Sequence, residues 1–403
     1  MIEEMTIPNG ADIAWMLAAT CLVFFMTPGL SFFYGGMVNK KNIISTILQS
    51  FIALGAVSII WVVVGFSLAF GNSLGGIIGD PRTFFMFHNV DAATHAALSP
   101  GLPLILFAMF QLKFAIITPA LISGSFSERV NFNGYLIFLL LFSLFIYAPL
   151  CHMTWHPEGL LRTWGVLDYA GGTVVHMSAG IAALAGALVL GKRKKREASN
   201  PVNIPFVVLG TAMLWFGWFG FNAGSSFSAN GEAAMAFATT NTASAISMVV
   251  WVLLDVRRGN KISALGACIG AVVGLVAITP AAGFVTISQS LLIGAIASTI
   301  CYGAVRYKSK TELDDTLDVF PSHGIGGMVG MLATGIFARE VGLVYGEWET
   351  FLKHLVALVG VSAFVFVTSI VLYRLTNFIT SIRVDEMAEE FGLDRSQHNE
   401  QYI

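Results

Sequence analysis

The feature that most constrains this chain is the spacing of its charges. Long stretches contain no Asp, Glu, Lys or Arg, among them residues 13–39, 42–79, 131–157, 169–191, 201–231, 233–254, 262–305, 319–338 and 354–373. A helix crossing a ~30 Å hydrocarbon core needs about 20 residues. Most of these runs hold one such helix. The run 262–305 is long enough for two, with Thr279-Pro280-Ala281-Ala282-Gly283 as the turn between them. Membrane strands would alternate in polarity, and these runs do not. Composition agrees, with 56% hydrophobic and 11% charged residues against roughly a quarter charged in soluble domains. The expected fold is an all-α polytopic membrane protein.

Crossings are expected near 12–38, 43–70, 101–124, 133–153, 171–191, 201–221, 237–254, 262–279, 284–305, 319–338 and 349–376, eleven transmembrane helices in all. An odd number puts the termini on opposite faces, and Lys and Arg decide which face is which. One set of connecting segments holds 17 basic residues, among them Lys40, Lys41, Arg129, the island Lys192-Arg193-Lys194-Lys195-Arg196 and Arg383. The other set holds only Arg82, Arg162 and Arg339. The expected orientation is therefore N-terminus out and C-terminus in. The acidic opening segment lacks a basic flank, so the first apolar run is read as a retained span and not a cleaved signal. The basic island reads as a topology determinant beside anionic lipid.

No low-complexity linker divides the chain. The expected organisation is a transmembrane domain over 1–376 and a cytoplasmic tail over 377–403. The four cysteines show neither metal nor disulfide spacing and read as packing residues. The spans group as a 5+5 inverted repeat plus a final helix. The fifth opens at Asp168 and reaches His176; the tenth opens at Asp318 and reaches His323. Five helices per half invert one half against the other and place the site near the midplane.

Those two histidines are the first candidates for chemistry. Ionisable groups inside the bilayer are costly and mark functional sites. A single core histidine bonded to a carbonyl is the plainer reading. A pair, one in each half, favours a shared pore where desolvation disfavours the imidazolium form. Aromatic residues form the second candidate group. Phe110 and Phe114 share a helix face at i,i+4; Trp155 ends the fourth span, and Trp215, Trp218 and Phe221 lead into Asn222-Ala223-Gly224-Ser225. Aromatic faces plus a hydroxyl bind a small cation, although an interfacial aromatic belt also places Trp at helix ends. Asp168 reads either as an N-cap for the helix that follows or as a proton acceptor. Lys113, between the two phenylalanines, is expected to snorkel or to meet a neighbouring subunit. His88, His95 and His156 in outer segments read as solvated.

These stretches resemble the ammonium transporter/methylammonium permease/Rhesus (Amt/Mep/Rh) family. The resemblance rests on Phe33-Tyr34-Gly35-Gly36, Phe110-Gln111 through Thr118-Pro119-Ala120, Ser127-Glu128-Arg129 and His152-Met153-Thr154-Trp155. It continues through Asp168-Tyr169-Ala170-Gly171-Gly172-Thr173-Val174-Val175-His176, Gly217-Trp218-Phe219-Gly220-Phe221-Asn222-Ala223-Gly224-Ser225, Thr279-Pro280, Asp318-Val319-Phe320 and His323-Gly324. The matches run from the first span to the tenth and are closest to bacterial and archaeal Amt-type members.

The resemblance implies an ammonium transporter of the cell inner (plasma) membrane. It implies an outer recruitment site at Phe110, Phe114, Trp155 and Ser225, a gate of Phe114 on Phe221, and a pore lined by His176 and His323. It further implies a homotrimer whose cytoplasmic face meets a PII-type signalling protein, with an ammonium sensor as the alternative role. No cofactor, metal, nucleic acid or enzymatic activity is expected, since nucleotide loop, metal cluster and catalytic triad are all missing from the sequence.

Overall fold

The computed structural model describes residues 8–194 and 201–402. Lys195 and Arg196 of the basic island, and Glu3 and Glu4 of the opening segment, lie outside them. The protein is mostly helical and of membrane type: nine helices among the described residues are long and apolar enough to cross a bilayer. We label the helical segments in chain order. α1 is Gly10–Met37, capped by the Asn9 side chain. α2 runs through Ile43–Ile60, a π turn at Trp61–Gly65 and Phe66–Phe70. α3 is Leu104–Ile122. α4 runs through Phe132–Phe142, the π turn Ser143–Tyr147 and Ala148–Trp155. α5 is a π turn, Gly172–Met177, continued by Ser178–Leu190.

The second half begins with α6, Ile204–Ala223, and α7, Gly231–Arg257. α8, Ala264–Ile278, has 15 residues and is shorter than a full crossing. α9 is Ile287–Lys308, opened by a capping box at Thr286 and Gln289. α10 again starts in a π turn, Phe320–Ile325, before Gly326–Phe337. α11 is Trp348–Ile379, and two short helices follow it, α12 (Glu386–Phe391) and α13 (Leu393–His398).

Two expectations need amendment. The chain is not wholly helical: the 71–103 connection carries two small antiparallel hairpins, Ser73–Leu74 with Ile78–Gly79 and Thr94–His95 with Ser99–Pro103. Runs of two to five residues flanked by Gly and Pro give no period that a sequence reading detects. Also, α7 starts at Gly231 and not near 237, because the Asn230 side chain accepts from the Ala233 N–H and starts the helix early.

Without a hydrophobic drive between helices, association in lipid relies on close backbone approach and interhelical hydrogen bonds. α7 and α8 use both. Gly270 and Gly274 face Trp251 and Ala243 so tightly that a Cβ would lie 2.6 Å and 2.4 Å from the nearest atom. Ser244 and Ser247 donate to the carbonyls of Ala271 and Gly270. The crossing of α5 with α10 is tighter still. A Cβ on Gly180 would stand 2.0 Å from the Gly324 nitrogen, so any side chain there would push the two helices apart. This contact holds the histidines of the two halves side by side.

Candidate functional site

His176 and His323 both fall within the π turns that open α5 and α10. A π turn adds a residue to the helical circuit and is a frequent mark of functional sites. The two rings lie 22° from parallel with Nδ1 atoms 3.2 Å apart. At that distance one Nδ1 donates and the other accepts, so a single proton is shared between them. His176 Nε2 is buried with no hydrogen-bond partner among the described residues. Its ring stacks on Trp218 at 5.1 Å and 20°. Trp218 in turn donates from Nε1 to Thr279 Oγ1 at 2.9 Å, which fixes the indole as one wall.

Two small voids meet at this pair. One, lined by His176, His323, Phe221, Trp218 and apolar side chains including Leu30 and Ile117, offers about 10 Å³ to the centre of a water-sized molecule. The other, also about 10 Å³, is lined by His323, Leu317, Ser322, Tyr34, Met37 and their neighbours. They share His323, Phe33 and Val272 and together trace a narrow path, nearly all apolar on the Phe221 side. Roughly this much volume holds one water.

Above the first void lies the aromatic group. The Phe114 and Phe221 rings are 4.2 Å apart and tilted by 34°. Phe114 also meets Phe110 at 4.9 Å and Trp155 edge-on at 5.8 Å. Phe221 touches His176 at 5.9 Å, so rings continue from Trp155 to the histidines. Ser225 sits one turn beyond Phe221 and donates to its carbonyl at 2.9 Å, leaving its oxygen lone pairs free. Phe110 is fully buried beneath Phe227, 5.7 Å away. Phe227 has a left-handed backbone, φ 56°, and the sequence reading missed it because no periodicity marks such a turn.

Asp168 is buried, and its carboxylate accepts from the N–H groups of Gly171, Gly172, Thr173 and Val174 at 2.8, 2.8, 2.8 and 3.2 Å. Burial pushes this carboxyl up from its ordinary range, and the four N–H groups oppose the shift. Its backbone carbonyl accepts from Trp155 Nε1 at 3.0 Å, so one residue ties the aromatic group to the start of α5. Gly171, at φ 113°, makes the turn that lets the chain reverse onto the carboxylate.

The counterpart in the second half is not Asp318. That residue, at φ 57°, pairs with Lys308 at 2.6 Å. Asp315 instead is fully buried and accepts from the N–H groups of Val319 and Phe320 at 3.1 and 2.8 Å. The eight-residue spacing from Asp168 to His176 recurs from Asp315 to His323, and this was the signal available in the sequence.

His156 is likewise not solvated: it is buried and stacked on His152 at 4.3 Å and 14°. His152 contacts the Ala69 carbonyl and the Ser73 hydroxyl with its two ring nitrogens, docking a hairpin onto α4. His88 is exposed and His95 half-buried. Lys113 is half-buried with its ammonium 5.4 Å from the centre of the Phe24 ring.

Comparison with known proteins follows the same geometry. Residues 14–403 match the Ammonium Transporter Family. An ammonium transporter of Bacillus subtilis (strain 168) is 43% identical over 400 residues, covering 96% of this chain and 97% of that one. The crystal structure of Saccharomyces cerevisiae Mep2 superposes with a TM-score of 0.88 at 34% identity, over 94% of this chain and 88% of that one. The structure of a sensor Amt protein gives a TM-score of 0.88 at 28% identity, over 96% and 98%.

Proposed function

The chain belongs to the Ammonium Transporter Family, and on that premise we propose that it recruits ammonium at the aromatic site, gives up one proton to a separate route and conducts ammonia. Recruitment uses the faces of Phe114 and Trp155 with the Ser225 oxygen, while Phe110, expected to share in it, is fully buried beneath Phe227 and backs Phe114. Each cation–π contact is worth about 0.5–2 kcal/mol. The Phe114–Phe221 pair closes the path below and excludes hydrated ions. Past it, ammonia meets mainly apolar walls and the imidazole pair, whose hydrogen bonds replace those lost with water.

Potassium and ammonium are alike in size and charge, so selectivity comes from what potassium lacks. A bare cation entering apolar surroundings without compensation meets a prohibitive desolvation cost, whereas a neutral molecule does not. The observation that carries the reading is the 3.2 Å Nδ1 contact of His176 and His323 between two voids of one-molecule size. Asp168 serves as structural cap or as proton acceptor next to the recruitment group.

The two short segments α8 and α10, counted with the nine longer helices, give eleven crossings. With the basic segments on the cytoplasmic side, the N-terminus is outside and the C-terminus inside. The protein then sits as a homotrimer in the plasma membrane, its 377–403 tail regulatory. A second reading, an ammonium sensor coupled to a PII-type partner at the basic face, draws on the likeness to the sensor Amt protein.

Purified protein in liposomes tests the transport reading through ammonium uptake and ammonium-evoked current. Wild type should take up ammonium in preference to potassium. His176→Glu or His323→Glu should admit potassium or methylammonium. A wild-type protein that moves no ammonium, or acidic variants with unchanged selectivity, would refute the proposed pore.

A further inference from the structure

At the aromatic end of the pore, basic residues are few. Arg82 pairs with Asp80, and Arg162 donates to the Trp155 carbonyl. Arg339, just past α10, is held by the turn between α8 and α9: its N–H donates to the Phe284 carbonyl and its Nη2 to the Gly283 carbonyl, at 2.9 and 3.0 Å. This fixes the guanidinium on the wall of a cleft of about 300 Å³ lined by Gly231, Glu232, Met235, Gly283, Phe284 and Arg339. Glu232 occupies the first turn of α7. Neither charge has an ion-pair partner among the described residues, and they do not pair with each other.

Opposite charges that line one cleft without meeting leave a gap suited to a molecule that carries both. We propose that this cleft binds a small zwitterion of the α-amino-acid class, its carboxylate on Arg339 and its ammonium on Glu232. The planar guanidinium fork matches a carboxylate. Met235 and Phe284 supply apolar contact for the side chain. The volume falls at the lower end of the range of small-molecule sites. A simple cation would satisfy Glu232 alone, and a simple anion Arg339 alone.

The cleft also touches the pore machinery. The Phe284 ring meets Tyr169 edge-on at 5.3 Å, and a Cβ on Gly283 would lie 2.1 Å from the Tyr169 ring. Burial first, then the neighbouring Glu232 carboxylate, push the Tyr169 hydroxyl up from its ordinary range. Tyr169 directly follows Asp168 in the chain. The inference concerns binding alone and does not depend on the transport reading.

The test is calorimetric titration of the full-length protein in nanodiscs with L-alanine, L-methionine and propionate. At least one amino acid should bind saturably, with propionate about ten-fold weaker or more. Glu232→Gln and Arg339→Gln should each weaken binding roughly 10- to 100-fold, the loss expected for a charge-assisted hydrogen bond. Arg339→Lys, which keeps the charge without the fork, should fall between. Thermal unfolding checks each variant, and Glu232→Asp replaces Glu232→Gln if the latter fails to fold. Absence of saturable amino-acid binding overturns the proposal. So does propionate binding as tightly as L-alanine, or binding that survives both glutamine variants.

Discussion

Asp168 and Asp315 each stand eight residues ahead of one histidine of the buried pair, and each turns its carboxylate onto the backbone N–H groups opening that histidine's helix. The first turn of a helix leaves N–H groups without partners, and an anion there also meets the favourable end of the helix dipole. Inside a membrane protein no water reaches these groups easily. The two carboxylates therefore set the depth and rotation of the π turns that aim the imidazoles at one another.

The relationship predicts parallel effects in the two halves. Asp168→Asn and Asp315→Asn each keep the shape but lose the charge and place an amide N–H₂ against backbone donors. Each should lose about 1.5–3 kcal/mol, as for hydrogen bonds to a charged group, and each should reduce ammonium uptake. Thermal unfolding in detergent and uptake in liposomes measure both. If Asp168→Asn abolishes uptake at unchanged stability while Asp315→Asn leaves uptake intact, Asp168 acts on the proton and not merely as a cap.

Trp155 separates the cation-binding reading from the interfacial-belt reading. Its ring faces Phe114 while its Nε1 holds the Asp168 carbonyl. Trp155→Phe keeps an aromatic face and drops the hydrogen bond; Trp155→Leu drops both. Loss of one cation–π contact of about 0.5–2 kcal/mol corresponds to a rise in the half-saturation concentration of roughly 2- to 30-fold. Trp155→Leu should show that rise and Trp155→Phe a smaller one. Equal behaviour of the two variants would remove the ring from recruitment.

Thr279 is expected to matter through Trp218. Thr279→Val preserves volume but leaves the indole N–H buried and unpaired, costing about 1–3 kcal/mol. Because the indole stacks on His176, the maximal rate should fall while half-saturation stays close to wild type. In a Trp218→Phe background the same substitution should cost little, since no donor remains to be orphaned. A double-mutant cycle on unfolding free energy and uptake reads the coupling directly.

Much of this arrangement was legible in the residues. Charge-free runs located the helices because bilayer thickness leaves little freedom in their length, and the two histidines within such runs do meet. The Phe110–Phe114 face followed from helical spacing alone. What stayed hidden depended on contacts distant in sequence or on backbone outside the regular periods. Asp318 looked like the counterpart of Asp168 because it begins the apolar run. The left-handed turn at Asp318 and its pairing with Lys308 pass the capping role back to Asp315. The Trp218–Thr279 bond joins residues 61 positions apart. His156 read as solvated because its burial comes from stacking on His152 under a hairpin with no periodicity of its own.

Just past the C-terminal end of α5, Arg193 bridges Glu128 and Asp314 at 2.6 and 2.8 Å, all three side chains being nearly buried. Burial alone would raise the Asp314 carboxyl, but the Arg193 guanidinium overrides it and holds the group well below the usual carboxylate range. A carboxyl depressed on folding contributes stability that is fully present above its unfolded value, about 3.9, and is lost as pH falls through the lower folded value. Wild type should therefore show no loss from this group between pH 7.5 and about pH 4. Arg193→Gln strands two carboxylates and should cost about 3–5 kcal/mol near neutral pH, as for a broken buried ion pair. Without the guanidinium the Asp314 carboxyl takes up a proton more readily, so the deficit should narrow on acidification. Thermal midpoints of both proteins at pH 7.5 and pH 5 decide the matter, since a deficit that stays constant would mean that Arg193 acts through packing and not through its charge.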